Sequence, residues 1–133
     1  MRALVLDTHA WVWWASKPEK LSRRQRSAID RARKQSSVSL LLSVISGWEV
    51  ALLVQAGCLR LPVPLETWLQ RAMSVPGLEV VPLTVSIIAT AAQLTVLRDP
   101  ADMLIVATAR QHGARLITSD ARIEESGTVE VVA

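Results

Sequence analysis

The sequence has one cysteine, no tyrosine or phenylalanine, and only five glycines among its 133 residues. The single cysteine, Cys58, excludes an intrachain disulfide framework and a metal cage built from cysteines. A glycine-rich loop of the kind that holds phosphates is absent. The longest run without a charged residue, 80–97, contains proline, threonine, serine and glutamine. That run is too short and too polar for a membrane span, which needs about 20 apolar residues.

The composition is that of one folded domain. Half of the residues are hydrophobic and 20% are charged, which permits a substantial core and argues against disorder. A length of 133 residues suits a single domain over 1–133. Asp7 interrupts the apolar run 3–6 before the apolar region of a signal peptide can form. We therefore expect a cytoplasmic protein with no membrane association.

The charge is unevenly distributed. The net charge is +3, but the segment 17–34 contains eight of the fifteen basic residues and only two acids. This basic segment therefore carries +6 and the remainder of the chain −3. A basic face on an otherwise acidic molecule suits a polyanion that is gathered near carboxylates. A solvated helix face is the alternative interpretation.

Alternating apolar runs and helical patterns predict an α/β fold with a mainly parallel central sheet flanked by helices. The predicted strands are 3–6, 38–43, 78–81, 116–118 and 129–132. The predicted helices are 10–15, 22–34, 44–55, 65–73, 84–96 and 99–111. The segment 10–15 also fits a strand. The helix 22–34 begins with the capping-box spacing of Ser22 and Gln25.

Five carboxylates from four segments are expected to meet at one edge of this sheet. Each lies just after a predicted strand or in the first turns of a predicted helix: Asp7, Glu49, Asp99, Asp102 and Asp120. In an open parallel sheet, those strand and helix ends share the edge at which ligands bind. Clustered anions repel each other unless a cation lies between them. Oxygen-only ligands select a hard ion such as Mg²⁺ or Mn²⁺.

Helix capping explains each of these acids separately. Ser46 and Glu49 have the spacing of a capping box, which would make Glu49 a structural residue. The other four acids fit an N-cap, an N3 position or a turn that ends a strand: Asp7, Asp99, Asp102 and Asp120. Capping does not require the caps to converge, so convergence of the five acids favours a metal site.

Other side chains have simpler interpretations. Cys58 has no base partner in the sequence pattern and is expected to be a small buried hydrophobe. His112 stands at the predicted end of a helix, where it suits a dipole cap. Trp11, Trp13 and Trp14 are expected in the core, with an apolar groove for a partner as the alternative.

Four segments resemble the successive motifs of the PIN domain: LVLDTH at 4–9, SVISGWE at 43–49, RDPADMLIVATA at 98–109 and LITSD at 116–120. Each motif is short. Together they span nearly the whole chain, in the order and at the spacings typical of that family. Within the family, they are most similar to the motifs of the VapC-like ribonuclease toxins of type II toxin–antitoxin systems.

The resemblance implies a metal-dependent ribonuclease with an acidic pocket that holds Mg²⁺ or Mn²⁺. Matched motif by motif, the metal-binding and catalytic acids of the family fall on Asp7, Glu49, Asp102 and Asp120. Asp99 matches the other acid of the Asp-Pro-x-Asp motif, with a capping or supporting role. Thr118 matches a polar residue that lines the pocket. Thr8 and Ser46 are expected in the pocket or directly behind its acids.

Two positions depart from the family pattern. Many relatives have histidine where Leu97 stands and arginine where Met103 stands. Neither change removes an expected carboxylate ligand. Both positions are candidates for altered contacts with RNA, with a partner or with a second copy of the chain.

The function implied by the resemblance is that of an endoribonuclease toxin that hydrolyses RNA phosphodiester bonds, has a small antitoxin protein as its partner and forms a homodimer. Arg23, Arg24 and Arg26 are the candidate RNA contacts. Two other functions stay open: a PIN-type nuclease that acts in RNA processing or on DNA, and a non-catalytic module that binds nucleic acid or protein. A haloacid-dehalogenase-like phosphatase is disfavoured, because it would need an aspartate where His9 stands.

Overall fold

Strands and helices alternate along the chain in a computed structural model that describes residues 2–133. The strands are β1 (Arg2–Leu6), β2 (Val38–Ser43), β3 (Leu78–Val81), β4 (Arg115–Ile117) and β5 (Val131–Val132). The α-helices are α1 (Thr8–Ser16), α2 (Arg23–Lys34), α3 (Ile45–Gln55), α4 (Leu65–Ala72), α5 (Val85–Ala92), α6 (Pro100–Gln111) and α7 (Ala121–Ser126). This order confirms the predicted α/β fold and the helical alternative for 10–15.

All pairs of neighbouring strands are parallel, in the order β3-β2-β1-β4-β5. The chain builds the sheet outward from β1 on one side and then reverses to add β4 and β5 on the other. In open parallel sheets, such a reversal leaves a ligand-binding crevice outside the carboxyl ends of the strands. Here the reversal lies between β1 and β4, where Leu6 pairs with Ile117. The residues that follow these two strands therefore start side by side.

Alternation along the strands divides the hydrophobic core between the two faces of the sheet. Leu4 and Leu6 of β1 face one cluster, which also contains residues of α1, α2 and α4. Val5 faces the other cluster, with residues of α5, α6 and α7. Because both faces are covered by helices, the strands must be apolar throughout, which explains their continuous apolar runs.

Trp11 fixes α1 against α4 and lies in the core as predicted, whereas Trp13 and Trp14 are only partly buried. Its side chain has no exposed surface, and its indole N–H donates to the carbonyl of Ala72 at 3.0 Å. The ring meets that of Trp68 edge-on, with the centroids 5.0 Å apart. Because α1 follows β1 after a single residue, this packing also fixes the residues between them.

The start of α2 is fixed at the carboxyl edge of the sheet by the predicted capping box. The Ser22 hydroxyl accepts the N–H of Gln25 at 3.1 Å, and the Gln25 side-chain oxygen accepts the N–H of Ser22 at 3.0 Å. The amide of the buried Gln25 also donates to the carbonyl of Val132 at 3.2 Å and to the hydroxyl of Ser119 at 3.3 Å. The first turn of α2 therefore lies beside the ends of β4 and β5.

The helix predicted over 84–96 was too long, because α5 ends at Ala92. Ser86, near the start of α5, donates to Gln111 at the end of α6 at 2.9 Å, so the two helices are antiparallel and the chain must reverse between them. Turns replace the helix there, with the N–H of Leu94 and of Leu97 each bonded to the carbonyl three residues earlier.

Four smaller features also differ from what the sequence predicted. The helix α7 was not predicted, although Asp120 caps its start and Gly127, with φ of 68°, ends it. The last strand begins at Val131 rather than at 129, and β4 lies one residue earlier than predicted. Cys58 is exposed rather than buried. Within residues 2–133, no helix is long and apolar enough to cross a membrane.

Candidate active site

A cavity of about 470 Å³ opens at the carboxyl edge of the sheet, beside the reversal between β1 and β4. Its walls come from the starts of α1, α6 and α7 and from α3. The residues that line this acidic cavity are Asp7, Thr8, His9, Trp13, Glu49, Asp99, Asp102, Ser119, Asp120, Ala121 and Arg122. All five acids that were expected at this edge of the sheet therefore surround one cavity.

Asp7 connects β1 to α1 in the acidic cavity. Its N–H donates to the carbonyl of Ile117 at 3.0 Å, which continues the pairing of β1 with β4. Its carboxylate caps α1 by accepting the N–H of Ala10 at 2.7 Å. Burial raises the pKa of Asp7, while hydrogen bonds from Thr118 and Ala10 and the nearby His9 lower it. Ionising this buried carboxyl group is therefore unfavourable unless further positive charge lies near it.

Glu49 enters the acidic cavity from the first turns of α3. The hydroxyl of Thr8 donates to Oε1 of Glu49 and lies 3.0 Å from the hydroxyl of Ser46, within hydrogen-bond distance. Thr8 and Ser46 are both buried. The N-cap of α3 is Val44, which makes no side-chain cap, so the capping-box interpretation of Ser46 and Glu49 is wrong. These three side chains instead connect α1 to α3.

Asp99 and Asp102 lie at the start of α6. The carboxylate of Asp99 accepts the N–H of Ala101 at 2.8 Å and that of Asp102 at 3.3 Å. Pro100 occupies the first helical position, where its missing N–H costs nothing. Asp99 is thus the N-cap, as predicted, and one turn of helix places Asp102 against the same cavity.

Asp120 lies at the start of α7, and its backbone is bonded to the side chain of Thr118. The carboxylate of Asp120 accepts the N–H of Arg122 at 2.9 Å and lies 3.7 Å from the Arg122 Nε. The buried Thr118 hydroxyl accepts the N–H of Asp120 at 3.1 Å. The side chain of Thr118 also interacts with the carboxyl group of Asp7 and lowers its pKa. One threonine therefore contacts the residues that follow β1 and β4.

Capping and convergence are both present at this site. Three of the acids are N-caps: Asp7, Asp99 and Asp120. Each cap occupies one carboxylate oxygen, and a carboxylate has a second oxygen that can serve another ligand. Because these caps begin different helices, capping alone does not account for their position around one cavity.

Burial and repulsion by the other acids act together on Asp102. Loss of hydration and the neighbouring carboxylates raise its pKa from 3.8 to about 7; in order of effect, those carboxylates are Asp99, Glu49, Asp120 and Asp7. Within residues 2–133, the only ion pair between side chains is that of Arg122 with Asp120. Positive charge from the protein is therefore scarce where negative charge is concentrated.

The donor chemistry of the site fits a hard divalent cation. The acids and the hydroxyl of Thr8 offer oxygen ligands, which Mg²⁺ and Mn²⁺ prefer. In the described part of the chain, no three His, Cys, Asp or Glu side chains are arranged to hold a metal ion by themselves. Mg²⁺ commonly keeps several waters and binds through one or two carboxylates. The site thus fits a hydrated ion better than a closed cage of protein ligands.

Several lining residues were not predicted from the sequence. His9 and Trp13 are four residues apart on α1, with ring centroids 6.0 Å apart, and both face the cavity. That spacing places two residues on one helix face and could have identified them. Arg122 stands two residues after Asp120 in a helix that was itself not predicted, so its place in the site could not be inferred.

Seven of the predicted or divergent residues are outside the lining of the acidic cavity. Two of them, Ser46 and Thr118, are buried next to it, although Thr118 was predicted to line it. Arg23, Arg24 and Arg26 are exposed on the first turn of α2, whose hydrogen bond to Ser119 places that turn near the rim. Leu97 is buried, and Met103 packs against the same hydrophobic cluster. These two side chains therefore fill the core next to α6.

The sequence matches a family model and a known protein over most of its length. The family model described as the PIN domain matches residues 4–127. Over 125 residues, the chain is 37% identical to the Ribonuclease VapC22 of Mycobacterium tuberculosis, an alignment that covers 92% of this chain and 91% of that protein.

Solved structures with the same fold include proteins of low sequence identity. One is VapBC2 from Rickettsia felis bound to a DNA fragment from the promoter, with a TM-score of 0.70 and 16% identity over 98% of this chain and 97% of that chain. Another is a toxin–antitoxin complex from Klebsiella pneumoniae, with a TM-score of 0.64 and 18% identity over 98% of this chain and 96% of that chain.

The raised pKa of Asp102 makes the stability of the metal-free protein depend on pH. Between the ordinary value of 3.8 and about 7, the folded state binds more protons than the unfolded state, so stability falls as the pH rises through this window. We expect the Tm measured in EDTA to decrease from pH 5 to pH 8. In Asp102→Asn the decrease should be smaller, because an asparagine side chain does not titrate.

Asp30→Asn is the matched control for this measurement, because Asp30 is exposed on α2, outside the cavity. Thermal unfolding monitored by circular dichroism across the pH series gives the comparison. Equal pH dependence of the wild type and Asp102→Asn would contradict the raised pKa of Asp102.

Proposed function

This chain belongs to the PIN domain family, and on that basis we propose that it is a metal-dependent endoribonuclease, the toxin of a type II toxin–antitoxin pair. The observation that carries the proposal is the convergence of five acids on one cavity, with a pKa of Asp102 raised to about 7. A cation would relieve this repulsion. The 37% identity to a ribonuclease supports RNA as the substrate.

The roles of the acids follow from their positions. Asp7 and Asp102 are the proposed direct ligands of Mg²⁺ or Mn²⁺, with Glu49 and Asp120 as ligands of a second ion or of ordered water. When bound, such an ion polarises phosphate oxygens and lowers the pKa of a water molecule. The hydrogen bond from Thr8 holds Glu49 toward the cavity, and Thr118 holds Asp7 and Asp120.

Hydrolysis of a phosphodiester requires the RNA backbone to approach these acids. The acidic cavity repels phosphate, so attraction must come from positive groups around it. Arg122 lies at the cavity itself, and the exposed first turn of α2 lies near its rim. We propose that Arg23, Arg24 and Arg26 on that turn contact RNA phosphates.

The proposed partner is a small antitoxin protein, as in the toxin–antitoxin complex from Klebsiella pneumoniae, and the proposed location is the cytoplasm.

A homodimer is proposed from exposed apolar side chains on two helices that both pack against α6. They are Val44, Trp48 and Leu52 at α3, and Val85 and Ile88 on α5. Exposed apolar side chains that gather in one surface favour a protein contact, and sedimentation equilibrium measures the oligomeric state directly.

Replacement of the cavity acids separates catalysis from helix capping. Asparagine caps a helix about as well as aspartate and has no charge to bury, so Asp7→Asn should not destabilise the metal-free fold. RNA cleavage in Mg²⁺ should fall by about a hundredfold or more, since even residues that only support metal ligands contribute 10–100-fold. Asp102→Asn should also remove most of the cleavage activity, and it should not destabilise the metal-free fold.

Asp30→Asn provides the control for charge removal at an exposed acid of α2. Cleavage of a labelled RNA by each purified variant, together with its Tm, gives the comparison. A folded Asp7→Asn or Asp102→Asn protein with full ribonuclease activity would refute the assigned roles. Failure of the wild type to cleave any RNA in Mg²⁺ or Mn²⁺ would favour a non-catalytic binding module.

Replacing Arg23, Arg24 and Arg26 with glutamine tests the proposed RNA contacts. Each phosphate contact with a single strand contributes roughly −0.7 to the slope of log affinity against log salt concentration, so loss of all three should flatten that slope by about 2. Fluorescence anisotropy with labelled single-stranded RNA over a salt series measures it.

The matched control replaces three other exposed basic residues of the same segment, Lys17, Lys20 and Lys34, with glutamine. It makes the same charge change away from the first turn of α2. Equal slopes in the wild type and the arginine variant would identify this turn as a solvated face. Weaker antitoxin binding with unchanged RNA binding would assign the arginines to an acidic segment of the antitoxin.

A further inference from the structure

A second cavity of about 400 Å³ adjoins the acidic cavity. Asp99, Asp102 and Arg122 line both cavities, so the two share a wall. The remaining walls of this side cavity come from the turn before α6, through Val96, Leu97 and Arg98, and from α7, through Ile123, Glu125 and Ser126. Its volume lies within the range of small-ligand sites, roughly 300–1,000 Å³.

The side cavity has an apolar surface that core packing does not explain. Val96 is 64% exposed, although it stands between two buried leucines in the turn sequence. Leu97 and Ile123 are buried behind it in the hydrophobic core. An apolar surface beside a polar rim suits a nucleobase, which has apolar faces and hydrogen-bonding edges.

Arg98 is held at the side cavity in an unfavourable backbone conformation. Among the described residues it is the only non-glycine residue with a positive φ, at 27°. The buried Leu97 before it and the capping Asp99 after it explain how this conformation is maintained. They do not explain why an arginine stands where glycine would be accommodated without strain. Strained residues held in this way are concentrated at functional sites.

Arg98 and Arg122 place positive charge beside the acids. Both arginines line the side cavity, and the side chain of Arg122 is 89% exposed despite its contact with Asp120. A guanidinium group can hold a phosphate through paired hydrogen bonds or lie flat against a base. An RNA strand repelled by the acidic cavity would therefore find two positive groups in the adjoining side cavity, beside Glu125.

We propose that the side cavity binds the nucleotide next to the scissile phosphate, with its base against Val96 and its phosphate held by Arg98 and Arg122. This inference rests on the proposed ribonuclease function and adds to it a specificity-determining subsite. The shared wall makes the two sites adjacent along one strand, so a nucleotide in the side cavity positions its neighbour at the acids.

Arg98→Gly tests the phosphate contact without disturbing the fold, because glycine accepts a positive φ. We expect its Tm to equal or exceed that of the wild type. In EDTA, its affinity for labelled single-stranded RNA oligonucleotides should fall about tenfold, as expected for loss of a hydrogen bond to a charged group. The slope against salt should flatten by roughly 0.7. Arg60→Gly removes the same charge from an exposed loop residue and should leave the affinity nearly unchanged.

A substrate with a missing base tests the apolar surface. For an RNA that the wild type cleaves, an abasic nucleotide at one position next to the cut should raise KM with little change in kcat. In Val96→Ser this abasic effect should largely disappear, because the surface that the base contacts is gone. Val75→Ser is the matched control, since Val75 is a half-buried valine in the loop before β3, outside the side cavity and the proposed dimer surface.

The outcomes distinguish this inference from the ribonuclease function itself. Unchanged RNA affinity in Arg98→Gly, together with a higher Tm, would overturn the subsite and leave Arg98 as a strained loop residue only. An abasic effect that persists in Val96→Ser would overturn the base contact. If the wild type binds RNA without cleaving it, and Arg98→Gly weakens this binding, the result would support the subsite and contradict the nuclease function. No RNA binding by the wild type would contradict both.

Discussion

Repulsion among carboxylates at the carboxyl edge of the sheet is the constraint on which the account of this protein depends. Five acids from four segments line one cavity, and the described residues supply only one ion pair, from Arg122. At Asp102, burial and this repulsion together raise the pKa to about 7. A folded protein tolerates such a concentration of like charge only if other interactions hold the acids in place, and a bound cation would turn the repulsion into attraction.

Those other interactions are ordinary features of the fold. Asp7, Asp99 and Asp120 are held by the N–H groups of the helices they cap, and Glu49 is held by Thr8. The parallel sheet brings the helix starts together, because its strand order reverses between β1 and β4. The same side chains thus stabilise helix ends and assemble the cavity, so a structural role and a functional role are compatible for each of them.

Much of this arrangement could be predicted from the sequence, and the failures have physical causes. The positions of the acids after predicted strands and at the starts of predicted helices indicated that they meet at one edge of the sheet. This worked because the alternation of strands and helices along the sequence indicates a parallel sheet. The capping box assigned to Ser46 and Glu49 was wrong, since a buried contact with Thr8 on another helix competes for both side chains. The positive φ of Arg98 depends on tertiary packing around the turn, so no sequence pattern could have indicated it.

Thermal unfolding at pH 7 with and without millimolar Mn²⁺ shows whether the acidic cavity holds a divalent cation. A ligand that binds only the folded state raises the Tm. We expect a rise in Tm for the wild type and little or no rise for Asp7→Asn and Asp102→Asn, whose metal-free proteins remain folded. An unchanged Tm in the wild type, or an equal rise in all three proteins, would contradict a metal site formed by these acids.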